Sequence, residues 1–136
     1  MSNDYNYAAS TEDKMMPIAA HALMLLSVPS AGVAALVAVV LAYVGRGDTD
    51  DLDWRESHYE FTIWTFWLSL AAFALAWIMI FAGIPLLLAL GFGFIPIAIG
   101  IAVLALLGVW VVVRSVLGLV YALRGEPYPR PRNLLV

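Results

Sequence analysis

The stretch FTIWTFWLSLAAFALAWIMIFAGIPLLLALGFGFIPIAIGIAVLALLGVWVVVRSVLGLVYAL, residues 61–123, decides the fold. It runs for about 63 residues with one charged side chain, Arg114. As helix it extends about 95 Å, enough to cross a ~30 Å hydrocarbon core twice with a turn between. A soluble domain of this size has no interior that could hold it. Residues 17–44 also lack Asp, Glu, Lys and Arg, which predicts a further span. The expected fold is an all-α integral membrane protein with three transmembrane helices, over about 15–44, 61–90 and 97–123. The last two form a long hairpin turning at 91–96, and the first is kinked at Pro29, whose ring removes a backbone donor and crowds the preceding turn.

Working outward, a polar tail over 1–14 precedes the membrane domain of 15–124, and a Pro/Arg-rich tail over 125–136 follows it. Only 12% of the residues are charged, about half the usual share, and they cluster in the tails and the loop at 46–60. The net charge of −3 therefore describes the aqueous segments and points away from nucleic acid. Without cysteine there are no disulfides and no thiolate metal sites. The first residues lack the basic start and short apolar core of a cleaved signal, so the first span is expected to stay in the mature chain.

Ser10 or Thr11 is a candidate helix cap, with Glu12 and Asp13 suited to the positive helix end. Gly45-Arg46-Gly47 ends the first span, and the acidic loop at 48–53 follows as a solvated segment. Ser57-His58-Tyr59-Glu60 fits a capping box that would open the next helix. Gly83-Ile84-Pro85 is expected to bend the second span near its far end. The tail from Pro127 to Arg132 is expected to be extended, polyproline-like chain.

Three spans place Lys14 on one side and Arg46, Arg55, Arg124, Arg130 and Arg132 on the other. The positive-inside rule then sets the N-terminus outside and the C-terminus in the cytoplasm of a bacterial inner membrane. Trp54, Trp64, Trp67, Tyr43, Tyr121 and Tyr128 would form an aromatic belt at the cytoplasmic interface.

Few residues could carry chemistry. Arg114 is expected about 15 Å deep along its helix from Arg124, where an unpartnered charge costs about 2.5–3.5 kcal/mol. Its candidate partners are Thr62, Thr65 and Ser69, a polar stripe on the second span, together with His58 and the carboxylate of Glu60. These residues form a structural or partner-binding polar cluster, with Arg124, Arg130 and Arg132 as an interfacial tail. His21 is the other titratable residue within a span, and offers a weak candidate ligand for haem or a chlorophyll-type pigment. No other cofactor and no metal is expected. Nucleotide-binding loops, nucleophile elbows, zinc-protease motifs and paired intramembrane carboxylates are all missing, so no enzymatic reaction is expected.

The run Ser57-His58-Tyr59-Glu60-Phe61-Thr62-Ile63-Trp64-Thr65-Phe66-Trp67 resembles the start of the second span in a family of small bacterial membrane proteins. That family reads Ser-His-aromatic-x-Phe-Gln-x-x-Thr-Phe-Trp. A second similar block is Trp110-x-x-x-Arg114-x-x-x-Gly118-Leu119 with Leu123-Arg124-Gly125-Glu126-Pro127-Tyr128-Pro129-x-Pro131. The family is grouped remotely with the chloroplast inner-envelope import component, as three- or four-span helical proteins without an assigned reaction. Thr62 and Trp64 stand where it prefers Gln and a basic residue. The resemblance implies that His58 and Arg114 are matched positions and adds no activity.

The expected function is thus a non-enzymatic accessory or assembly subunit of a larger membrane complex, in contact with lipids and with other subunits or itself. The alternatives are a small oligomeric transporter or channel, or a lipid-binding membrane protein.

Overall fold

The computed structural model describes residues 11–48 and 53–134, with side chains from Lys14 onward. The expected cap at Ser10 or Thr11, with Glu12 and Asp13, and the centre of the acidic loop lie outside the described side chains. The described residues are helical, with no strands: α1 (Thr11–Leu26), α2 (Val33–Gly47), α3 (Trp54–Leu90) and α4 (Phe94–Arg124). Two of them, α3 with 37 residues and α4 with 31, are long and apolar enough to cross a membrane. The most apolar window of each is only 11% buried, whereas the core helix of a soluble protein would have that window covered.

The expected single span over 15–44 is instead two helices. Pro29 lies within a turn at 27–32 rather than in a kinked helix, and α1 and α2 pack against each other. The reversal rests on two residues in the left-handed region, Ala31 at φ 52° and Gly32 at φ 90°. Glycine takes that conformation freely, while alanine does so at a cost of roughly 1 kcal/mol. A long reach to the opposite side is thereby replaced by a helical hairpin.

The chain divides into two compact units, Met1–Phe66 with Val111–Val136, and Trp67–Trp110. In the first, α1 runs back along the end of α4. Lys14 Nζ donates to the Leu123 carbonyl at 3.5 Å, and the His21 ring lies on Gly118. The C-terminal end of α2 meets the start of α3, where Gly45 faces the Tyr59 ring. The start of α1 and the end of α4 therefore share one end of this unit, which does not match opposite sides for Lys14 and Arg124.

The start of α3 differs from expectation by four residues. Asp53 is the true cap, its Oδ1 accepting from the Arg55 backbone N–H at 2.9 Å, as capping carboxylates do. Ser57 and Glu60 are freed from the expected capping box and bond elsewhere. α4 begins at Phe94 rather than Ile97, so Pro96 falls in its first turn, where no helical hydrogen bond is lost. α3 continues through Pro85 to Leu90.

The second unit is a hairpin of α3 and α4 joined through Gly91 at φ 75°, whose N–H reaches the Leu87 carbonyl at 3.1 Å. Its buried positions are Ala76, Gly83, Gly93 and Gly100. A side chain at Gly83 would run into Ile97 and the Gly93 carbonyl, and one at Gly100 into Ala76 and Ile80. Small residues thus make the seam, and large apolar ones such as Leu88, Leu90 and Ile101 face outward, the arrangement that membrane helices use to pack.

Candidate functional site: a buried polar cluster closed by the tail

The polar groups of the first unit converge on Arg114, which is fully buried together with Thr62, Thr65 and His58. Thr65 lies one turn after Phe61, and its hydroxyl donates to the Phe61 carbonyl at 2.7 Å. Its oxygen then accepts from Arg114 Nε at 3.1 Å. Thr62 makes the same back-bond to the His58 carbonyl at 3.0 Å. The guanidinium carbon sits 4.2 Å from the centre of the Phe61 ring, a cation–π contact strengthened by the burial of both groups.

Two further nitrogens of Arg114 donate to the C-terminal tail, which is expected from sequence to be extended, polyproline-like chain. Nη2 donates to the Pro131 carbonyl at 3.2 Å, and Nη1 to the Asn133 carbonyl. The tail returns because Gly125, at φ 70°, closes α4 with paired bonds, Gly125 N–H to Ala122 and Glu126 N–H to Tyr121. That is the glycine-terminated helix end in which two otherwise unpaired carbonyls are satisfied. Beyond it, the Tyr128 N–H donates to Ser57 Oγ at 2.8 Å, and the buried Tyr128 ring packs 4.2 Å from that of Phe61. Arg132 pairs with Glu60, its Nε at 2.6 Å from Oε1. Glu60 therefore serves the tail rather than Arg114. Arg124 and Arg130 are exposed, and Ser69 belongs to the other unit, where it is half-buried.

The two histidines meet. His21 Nε2 and His58 Nδ1 are 2.9 Å apart, and His58 Nε2 is 2.8 Å from the Glu126 carbonyl. A carbonyl only accepts, so in the neutral pair His58 donates through Nε2 and receives the His21 proton at Nδ1. His21 Nδ1 is then a buried acceptor without a hydrogen-bond partner, as is the Ser115 hydroxyl. From sequence, His21 is a residue of the first span, apart from the polar cluster on α3 and α4. The fold-back of α1 instead carries it to His58, 37 residues away. A pigment ligand at His21 does not fit this packing, because one ring nitrogen faces His58 and the ring rests on the Gly118 backbone. Among the described residues, no group of three or more His, Cys, Asp or Glu is placed to hold a metal ion.

Two ionisable groups at the edge show how the surroundings act. Burial alone would raise the Asp53 carboxyl, but the hydrogen bonds and charge of Arg55, with Nη2 at 2.6 Å, hold it below its ordinary value. Burial raises the Tyr128 phenol, against the smaller opposing pull of Arg114.

Chemically, the cluster is a set of directed donors whose acceptors are already in place. The polar stripe of α3 and Arg114 could be read from spacing. The tail carbonyls and the histidine pair could not, because backbone carbonyls carry no sequence signature. A Gly-Glu-Pro helix end followed by an aromatic residue was the available signal that the tail turns back. No protein-family model, curated protein or solved structure matches the chain.

Proposed function

We propose that the chain is a non-enzymatic integral membrane protein, anchored by the α3–α4 hairpin and acting as an accessory or assembly subunit of a larger membrane complex. One observation carries this reading. The buried donors of Arg114 and His58 end on the chain's own carbonyls, while both long helices turn large apolar side chains outward. Polar chemistry is spent on holding the fold, and the outer surface suits lipid and apolar neighbours.

The neighbouring Lys14 and Leu123 support placing both chain ends on one side. That side then collects Lys14, Arg46, Arg55, Arg124, Arg130 and Arg132, and the positive-inside rule makes it the cytoplasmic face of a bacterial inner membrane. This orientation replaces the N-outside arrangement of three spans. A transporter would draw support from helix breaks at Pro29 and at Gly83–Pro85. The turn at 27–32 is closed by its own hydrogen bonds and α3 runs through Pro85, so the subunit reading is preferred. His58 and Arg114 belong to the same cluster, which favours a shared structural role.

The test is purification of the full chain in a mild detergent, followed by size separation and identification of what remains bound. A larger membrane protein held at fixed stoichiometry is expected. A clean homo-oligomer that conducts ions or solutes after reconstitution would overturn the reading.

A further inference from the structure

We infer that α1 and α2 form a re-entrant hairpin that enters the hydrocarbon from the side of Lys14 and Arg46 and turns back within the bilayer. The inference rests on the membrane reading above and adds a second, shallower contact with lipid. α2 is apolar on both faces. Ala35, Ala38, Val39, Ala42 and Gly45 are buried on one, while Val33, Leu36, Val37, Val40 and Val44 lie exposed on the other, Val33 by 64%. The exposed set recurs at helical spacing, so it forms one continuous aliphatic stripe. A helix of this kind is stable only where neither face meets water.

Length sets how deep the hairpin goes. α1 has 16 residues and α2 has 15, which gives about 24 and 22 Å against a hydrocarbon core of about 30 Å. Neither matches the core as α3 and α4 do. The turn at 27–32 carries no charged side chain, and Leu26 and Val28 are exposed on it.

The backbone donors that open α2 are satisfied within the chain, while among the described residues those of Val28 and Ala31 in the turn carry no such bond. The N–H groups of Ser27, Ser30, Gly32, Val33, Ala35 and Leu36 all end on carbonyls within the hairpin. The Ala34 N–H donates to Ser30 Oγ at 3.1 Å. Pro29 has no N–H to satisfy. The first donors of α2, orphans in an ordinary helix, are thereby paired without water, as hydrocarbon requires. The open end is polar: Lys14 bonds the end of α4, and Arg46 pairs with Glu56 at 2.7 Å. A helix partner within the bilayer would favour small residues on the stripe. The stripe instead consists of Val and Leu, with Tyr43 near its open end.

The absence of native cysteine allows single-site labelling. Arg46, Tyr43, Val40, Leu36 and Val33 are each changed to Cys, spin-labelled, and reconstituted in phosphatidylethanolamine–phosphatidylglycerol vesicles. Collision with oxygen is then compared with collision with a water-soluble nickel chelate. The oxygen-to-nickel ratio should rise steadily from Arg46→Cys to Val33→Cys, deepest at the turn. A maximum near Val40 with a fall at Val33 would mean a full crossing. High nickel collision along the stripe would mean water, and low collision with both reagents would mean protein cover. Each of these three results overturns the inference. The membrane reading itself is tested separately with Phe92→Cys and Asn133→Cys. An impermeant maleimide should reach them from opposite sides, and labelling from the same side would sink that reading whatever the stripe shows.

Discussion

In the hairpin of residues 67–110 the buried positions are Ala76, Gly83, Gly93 and Gly100, whereas the other unit buries Arg114, His21, His58, Thr62 and Thr65. The first is held by shape, since small residues let two backbones approach. The second is held by directed bonds, each fixing an angle as well as a distance. Under the membrane reading proposed above, the surroundings would supply little hydrophobic drive to either, because lipid is as apolar as leucine. The units should therefore fail in different ways, the hairpin by added volume and the cluster by lost polarity.

The largest effect should follow from Arg114→Met, which keeps length and removes the donors. Hydrogen bonds to charged groups contribute about 1.5–3 kcal/mol each, and Thr65, Pro131 and Asn133 lose theirs together. A loss of about 3 kcal/mol or more is expected, with the tail becoming sensitive to protease in detergent. Arg114→Lys should recover part of it, because one ammonium cannot reach all three acceptors in the fork geometry. An unchanged tail in Arg114→Met would show that the cluster is held by packing, like the hairpin.

A smaller effect, about 2 kcal/mol, is expected from Gly83→Val, whose side chain would push into Ile97 and the Gly93 carbonyl. Thermal unfolding should register the loss while the tail stays protease-resistant. A tail released by this substitution would erase the distinction between the units.

The length and apolar character of α3 and α4 were legible because a long run with one charge has few alternatives. The reach of Arg114 to Thr65 follows from helical spacing and the cost of a bare charge. The turn at 27–32 was not legible, since a proline in an apolar run marks a kink or a reversal equally well. What decides is distant: His21 finds His58, and Gly45 leaves room for Tyr59. The start of α3 was misread because Asp53 and Ser57 are both good caps. Asp53 prevails with Arg55 held beside it, while Ser57 receives the tail.

The smallest effect concerns that cap. Asp53→Ala should cost about 1 kcal/mol, the usual contribution of a side-chain cap. The sign with pH follows from the lowered carboxyl: its contribution is full above the ordinary carboxylate range and is lost as pH falls through the lowered value. Stability measured against acid should therefore drop less steeply in Asp53→Asn than in the parent. Equal acid slopes would remove Asp53 from the account.

The return of the tail to Arg114 also sets an order of events during synthesis. The carbonyls of Pro131 and Asn133 are made 17 and 19 residues after the arginine they satisfy. α4 therefore leaves the ribosome with a guanidinium that can meet Thr65 on α3 but not yet the tail carbonyls. A transcript that stops between Arg124 and Pro131 would yield every helix intact and a stranded charge. Under the membrane reading, a surveillance system that senses bare charge in lipid would distinguish such a shortened chain from one whose tail has docked.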